Sequence, residues 1–275
     1  MGKFDFIECS VKAYQYIWTQ RHAMILPTIM VLFSKFTCFS IILSFGLDED
    51  FLKQGLILLP SFFVEGWIIA QVLAMVLNYE ADKAYHRQAP SLRPENIAVK
   101  GAMVLYVLIK LLSVAILSAP FHMIADKSAE TLPTPDIAQE ELSLMSELGV
   151  YTTSFMILCF ACWAFRFLWL YVPLAMGYSV RDFIKRTNSL TSASYILALW
   201  MMFMIPIGLA MVLCMQLIFD AFSASSEQEL SMLGKFVMAF FQGSFDYLMA
   251  LASSVGMAYA IASIYNKEDK KVSLW

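Results

Sequence analysis

Six long apolar runs dominate the sequence and are separated by short polar segments. Each run is continuous and rich in Leu, Met, Ala and Phe, and about 20 such residues cross the hydrocarbon core of a bilayer as a helix. A membrane β-barrel would show short segments of alternating character, and the sequence has none. We therefore predict an all-α bundle of six transmembrane spans within one membrane domain, residues 1–275. The spans are predicted near residues 24–46, 56–79, 101–125, 151–176, 195–220 and 236–264.

The composition indicates the same environment. Hydrophobic residues make up 60% of the chain and charged residues 15%, whereas a soluble domain carries about 25% charged residues. The mean hydropathy is +0.66, so one aqueous core could not bury all the apolar surface. No loop between the predicted spans is long enough to hold a soluble catalytic domain. We therefore expect a multi-pass membrane protein that is not an enzyme.

Basic residues indicate the orientation, because cytoplasmic loops retain Lys and Arg. Thirteen basic residues lie in the segments that six spans would place on one side, and three lie on the other. The thirteen are Lys3, Lys12, Arg21, Lys83, Arg87, Arg93, Lys100, Arg181, Lys185, Arg186, Lys267, Lys270 and Lys271; the three are Lys53, Lys127 and Lys235. We predict both termini in the cytoplasm, with residues 265–275 as a cytoplasmic tail. The first 23 residues are polar and do not form a cleavable signal peptide.

Two polar segments have a helical apolar period that is typical of a helix in the membrane interface. Residues 1–23 are predicted to form one such helix, and the second precedes span five. Either could be a simple surface anchor or a docking site for a membrane-protein partner. The first stripe is Phe4, Ile7, Val11, Tyr14 and Trp18, and the second is Val180, Phe183, Ile184 and Thr187.

Five ionisable residues fall inside the predicted spans: Lys35, Glu65, Lys110, Arg166 and Asp246. Each costs about 2.5–3.5 kcal/mol at the centre of a membrane helix unless it is paired, so such residues often mark function. Counting residues from the span ends places Lys35, Glu65 and Asp246 at one level near the midplane. Lys35 can then pair with either carboxylate. The same count places Lys110 and Arg166 together, closer to the cytoplasm, with no intramembrane anion beside them.

Three interpretations of these charges remain open. The midplane residues can be structural pairs, while Lys110 and Arg166 reach water or donate to backbone carbonyls. Alternatively, Lys110 and Arg166 hold an anionic group such as a lipid phosphate, because a guanidinium matches phosphate geometry. In the third interpretation Lys35, Glu65 and Asp246 form the midplane site of a secondary transporter or a proton path. The expected partners are anionic headgroups at the cytoplasmic face and a membrane protein, not nucleic acid.

No metal or cofactor site is predicted. Cys159 and Cys162 have C-x-x-C spacing, but they lie inside a span without a second cysteine pair, which favours packing. The three histidines are scattered, and the common nucleotide-binding and hydrolase motifs are absent. Span six instead has small residues at every fourth position, which allow close helix approach. These are Ala250, Ser254, Ala258 and Ala262.

The stretch from residue 166 to residue 190 resembles a bacterial family. It combines Arg166 inside a span, Pro173 near the end of that span, and an amphipathic segment with Ser-Val-Arg and Thr-Asn-Ser-Leu-Thr runs. This pattern is similar to the six-span inner-membrane proteins of the YciC type and to the membrane domain attached to some glycerophosphodiester phosphodiesterases. The resemblance implies a bacterial inner-membrane location and no catalytic role for these residues. The chain has no phosphodiesterase domain, so that activity is not implied.

Overall fold

The computed structural model describes residues 4–47, 51–85, 97–130, 143–222 and 231–272, and within these ranges the chain is helical except for short turns and has no strand. A short 3₁₀ helix spans Phe165–Trp169. The helices in chain order are α1 (Phe6–Thr19), α2 (Arg21–Ser44), α3 (Phe51–Tyr85), α4 (Ile97–Glu130), α5 (Ser143–Ala164), α6 (Tyr171–Ala175), α7 (Val180–Arg186), α8 (Leu190–Phe222) and α9 (Met232–Val272).

Six helical segments among the described residues are long and apolar enough to span a membrane. Each overlaps one predicted span, so the predicted all-α architecture with six spans is confirmed. Helices of this length and apolarity are those of a multi-pass membrane protein. The segments are Arg21–Ser44, Leu52–Val76, Ala98–Ile116, Phe155–Ala175, Leu190–Phe222 and Met232–Tyr265.

The last helix, α9, forms the centre of the bundle. It packs against α1, α2, α3, α6 and α8. In an 18-residue apolar stretch of α9, 72% of the residues are buried, compared with 22–56% in the corresponding stretches of the other five spans. Every residue from 251 to 261 is buried, so close packing surrounds this part of α9 instead of following one small-residue stripe. Small side chains allow this approach. The helix continues to Val272 and includes most of the predicted tail.

Span four, predicted at residues 151–176, is divided into three helical segments. Its α-helix ends at Ala164, the 3₁₀ helix follows, and α6 begins at Tyr171. Pro173 has no N–H group, and its ring excludes the carbonyl of Trp169, four residues earlier, from a regular α-helix. The break lets α6 pack against α4 and α9, whereas α5 contacts α8.

The first helix, α1, begins at a cap in which Asp5 Oδ1 accepts hydrogen bonds from two backbone N–H groups. It runs lengthwise along α8, because Phe6 and Tyr14 meet Tyr195 and Phe203, eight residues apart on each helix. The helix therefore does not lie across the bundle, as an interfacial helix would. Its packed side consists of Cys9, Ser10, Ala13 and Tyr16, and most of the predicted stripe is exposed, namely Ile7, Val11, Tyr14 and Trp18.

The two ends of the bundle differ in charge. We call the end that includes α1, α7 and the start of α8 the basic end; its described basic side chains are Lys12, Arg21, Lys100, Arg181, Lys185 and Arg186. The opposite end has Lys53 and Lys235. Of the other basic residues used in the orientation prediction, Lys3, Arg87 and Arg93 lie outside the described residues. The remaining ones lie on described helices whose side chains are not described at these positions: Lys83, Lys127, Lys267, Lys270 and Lys271.

Candidate functional site

Four of the intramembrane charges meet inside the bundle, and we call them the charge cluster. Lys35 Nζ on α2 lies 3.0 Å from Glu65 Oε2 on α3 and also pairs with Asp246 Oδ2 on α9. Lys110 Nζ on α4 lies 3.5 Å from Asp246 Oδ1. Two cations and two carboxylates therefore balance, and they link four helices. Such pairing removes most of the cost of placing single charges in a membrane.

The charge cluster is closed on one side and open on the other. The side chains of Lys35 and Glu65 are completely buried, whereas those of Asp246 and Lys110 are 37% and 26% exposed. α4 packs closely against α3 and α6 but not against α9. Lys110 and Asp246 therefore meet across a gap between helices. A ligand or water entering this gap could reach Asp246, while Glu65 stays behind Lys35.

The observed ion pairs agree with the prediction for Lys35 and differ from it for Lys110. Lys35 has both predicted carboxylate partners, Glu65 and Asp246. The prediction that Lys110 has no intramembrane anion is wrong, because it lies beside Asp246. Counting residues from the span ends misplaced Lys110, because its backbone lies between the contacts of Tyr106 with Gly66 and of Val114 with Gly55, at about the level of Glu65. Lys110 Nζ also lies over the rings of Phe62 and Tyr106, 5.8 and 5.7 Å from the ring centres.

Hydroxyl groups continue from the charge cluster towards the basic end. The Tyr106 hydroxyl and both Glu65 oxygens are buried without a hydrogen bond of normal geometry among the described residues. The Tyr106 ring meets Tyr171 edge to face, with centroids 5.0 Å apart, and the Tyr171 hydroxyl shares a 2.7 Å hydrogen bond with Ser254 Oγ. The spacing of Tyr106 and Lys110 on one helical face was a sequence signal for Tyr106. Nothing in the sequence linked Tyr171 to this region.

Arg166 has a structural partner at the basic end. Its buried guanidinium donates from Nη1 to the Thr187 carbonyl at 2.8 Å and to Asn188 Oδ1 at 3.1 Å. It also lies over the Trp163 and Phe167 rings, at 4.1 and 4.8 Å. Thr187 is the C-cap residue of α7, and a cation at a helix C-terminus is favourable.

Lys110 and Arg166 have different partners among the described residues. Lys110 belongs to the charge cluster, and Arg166 joins span four to the turn between α7 and α8. Of the three interpretations, donation to a backbone carbonyl describes the Arg166 geometry. Counting depth along each span could not separate these two cations, because depth does not show which helix lies beside each of them.

The other predicted features add no further site. Cys159 and Cys162 are free thiols, and no group of three metal-ligating side chains occurs among the described residues. Comparison of the chain with protein-family models, curated protein sequences and solved structures finds no match. The family resemblance of residues 166–190 therefore stays a prediction.

Proposed function

We propose that the chain is a non-enzymatic protein of the bacterial inner membrane that contacts anionic lipids or envelope partner proteins, with both termini in the cytoplasm. The observation that supports this is the basic end, where six described basic side chains gather against two at the opposite end. Cytoplasmic loops retain Lys and Arg, so the basic end faces the cytoplasm. There it meets the leaflet surface that carries anionic lipids.

Arginine–aromatic pairs at the basic end support a lipid contact. The Arg21 guanidinium lies 4.6 Å from the centre of the Trp18 ring, and Arg186 lies 4.3 Å from that of Tyr265. Aromatic rings favour the boundary between hydrocarbon and headgroups. A guanidinium beside such a ring has the planar geometry to bind a lipid phosphate.

Span four supports contact with lipid or a partner protein. The four consecutive residues from Phe155 to Leu158 are each more than half exposed. Successive helical residues point about 100° apart, so four of them face almost every direction around α5. Their side chains are apolar, and in a bilayer they meet acyl chains or another apolar helix.

We expect Arg181→Glu/Lys185→Glu to reduce the phosphatidylglycerol retained by the purified protein by roughly tenfold or more, because each basic residue near the surface contributes about 1 kcal/mol to anionic-lipid attraction. Both side chains are exposed on α7, so the change does not disturb the core. Native mass spectrometry of the full chain in detergent measures the retained lipid.

The matched control is Lys53→Glu/Lys235→Glu, which makes the same charge change at the opposite end. It should retain as much phosphatidylglycerol as the unaltered protein. Equal retention by all three forms would contradict the lipid proposal. A reporter fused after Trp275 that is active outside the cell would contradict the orientation.

The second candidate is a secondary transporter whose midplane site is Lys35, Glu65 and Asp246. The observation that favours it is the partial exposure of Asp246 at the gap between α4 and α9. Carboxylates and hydroxyls that continue into the bundle, from Glu65 to Tyr106, could carry a proton further.

If the second candidate is correct, proteoliposomes will move protons down an imposed pH gradient, and Glu65→Gln and Asp246→Asn will each abolish that flux. The first change removes the inner carboxylate and the second the exposed one. A pH-sensitive dye trapped inside the vesicles measures the flux. No flux with the unaltered protein, or undiminished flux with both variants, would exclude a proton path through these residues.

A further inference from the structure

An apolar groove with a volume of about 320 Å³ follows the outside of the bundle between α2 and α9. Ile17 and Arg21 lie at one end of the groove and Leu32 and Ser244 lie towards the other. The groove opens at Ile25, which is 51% exposed. It is separate from the gap beside Asp246 and from α7.

The length of the groove matches one leaflet. From Arg21 to Leu32 the α2 backbone rises about 16 Å at 1.5 Å per residue, and half of the hydrocarbon core measures about 15 Å. Arg21 is also the first residue of the first membrane-spanning segment. The groove therefore has about the length of one leaflet, and Arg21 lies at the end of the groove nearer the basic end.

The width of the groove suits a chain and not a helix. A helix about 16 Å long and about 10 Å across would occupy roughly 1,000 Å³ or more, which is more than the groove provides. Among the occupants available in a membrane, an acyl chain has the matching shape.

The hydroxyl groups in the walls of the groove already have hydrogen-bond partners within the protein. The Thr28 and Tyr247 hydroxyls lie 3.4 Å apart and bond to each other. Ser244 Oγ donates to the carbonyl of Phe240 at 2.7 Å. Because these groups are satisfied within the protein, an apolar chain can cover them without breaking a hydrogen bond.

Arg21 is the one charged residue among those that line the groove in the described part of the chain. Its Nη1 donates to the carbonyl of Trp18 at 2.9 Å, and its guanidinium stacks on the Trp18 ring. These two contacts hold the planar group at the mouth of the groove. A guanidinium has five N–H donors, so it can also bind a phosphate with two of them.

We propose that the groove binds one glycerophospholipid of the leaflet at the basic end, with an acyl chain along α2 and α9 and its anionic phosphate group at Arg21. The inference rests on the proposed function as a lipid-contacting protein and assigns a site to it. The stacked Trp18 ring orients the Arg21 guanidinium towards the phosphate. The acyl chain fills the groove and covers the exposed side chains of Ile25 and Leu248 on the outer surface.

Native mass spectrometry of the full chain titrated with phosphatidylglycerol tests the site. Arg21→Gln should weaken binding of the first lipid by about tenfold, because a charge-assisted hydrogen bond to phosphate is lost. Leu248→Trp, at an exposed position of the wall, should weaken it similarly by filling the groove. Dioleoylglycerol, which has no phosphate, should bind Arg21→Gln as it binds the unaltered protein but should be excluded by Leu248→Trp.

The control is Lys53→Gln, which removes one exposed cation at the opposite end of the bundle and should leave the first binding step unchanged. Arg21→Lys, which keeps the charge, should recover part of the affinity if the protein is intact. Unchanged first-lipid affinity in both Arg21→Gln and Leu248→Trp overturns the groove site. If Arg181→Glu/Lys185→Glu still loses lipid in that case, the proposed function stands and only this site is wrong.

Discussion

Lys35→Met should destabilise the folded protein by about 3–5 kcal/mol, the cost of breaking a buried ion pair by removing one partner. Lys35 is the cation beside Glu65, and both side chains are completely buried. In this variant Asp246 still has a cation beside it, because Lys110 Nζ lies 3.5 Å away. Glu65 is therefore the carboxylate that is left without a cation. Denaturant titration in detergent, followed by circular dichroism, measures the free energy of unfolding.

Two comparisons make this prediction specific. Lys35→Met/Glu65→Leu removes the pair together, so it should be less destabilising than Lys35→Met alone. Lys12→Met makes the same substitution in an exposed pair with Glu8, at 2.8 Å, and should cost only a few tenths of a kcal/mol, roughly what such a helical surface pair contributes. The prediction is wrong if Lys35→Met is as mild as Lys12→Met.

Gly256→Leu should destabilise the protein by about 3 kcal/mol, because it overpacks the contact between α8 and α9. A Cβ atom at Gly256 would lie 2.6 Å from both Cε2 and Cζ of Phe203, and Phe203 is fully buried. Neither helix can move freely, since α9 is also enclosed by α1, α2, α3 and α6. The same unfolding titration measures the loss.

Gly208→Leu is the matched control on α8. A Cβ atom there has its nearest neighbours, in the Met204 side chain, at 4.0 Å, which is ordinary contact. Leucine also has a better helix propensity than glycine, so stability should stay the same or rise. The double variant Gly256→Leu/Phe203→Ala should recover part of the loss if volume is the cause. No recovery, together with equal costs at both glycines, would argue against close packing at Gly256.

The charge cluster shows how far sequence reasoning reaches in a membrane. Charged residues are rare in apolar runs, so Lys35, Glu65 and Asp246 could be selected and their pairing predicted from their depth along each span. The partner of Lys110 could not be predicted in this way. Its side chain crosses Phe62 and Tyr106 before reaching α9, and that path depends on how α3, α4 and α9 are arranged.

The first helix shows a second limit. Its helical period and Asp5 cap are readable in the sequence, and the stripe that includes Trp18 is exposed, as a surface helix requires. The side that packs against the bundle includes Ser10 and Ala13 instead. Small residues carry little hydrophobic signal, although they allow helices to approach closely.

The sequence alone determined the number of spans and their approximate positions, because apolar length is set by the thickness of the bilayer. It also determined which polar residues must find partners inside the membrane. Only the tertiary structure decided that α9 is central, that span four breaks before Pro173, and that Arg166 bonds to the end of α7. The reason is that lipid-facing and protein-facing sides of a membrane helix are both apolar, so hydrophobic periodicity does not tell them apart.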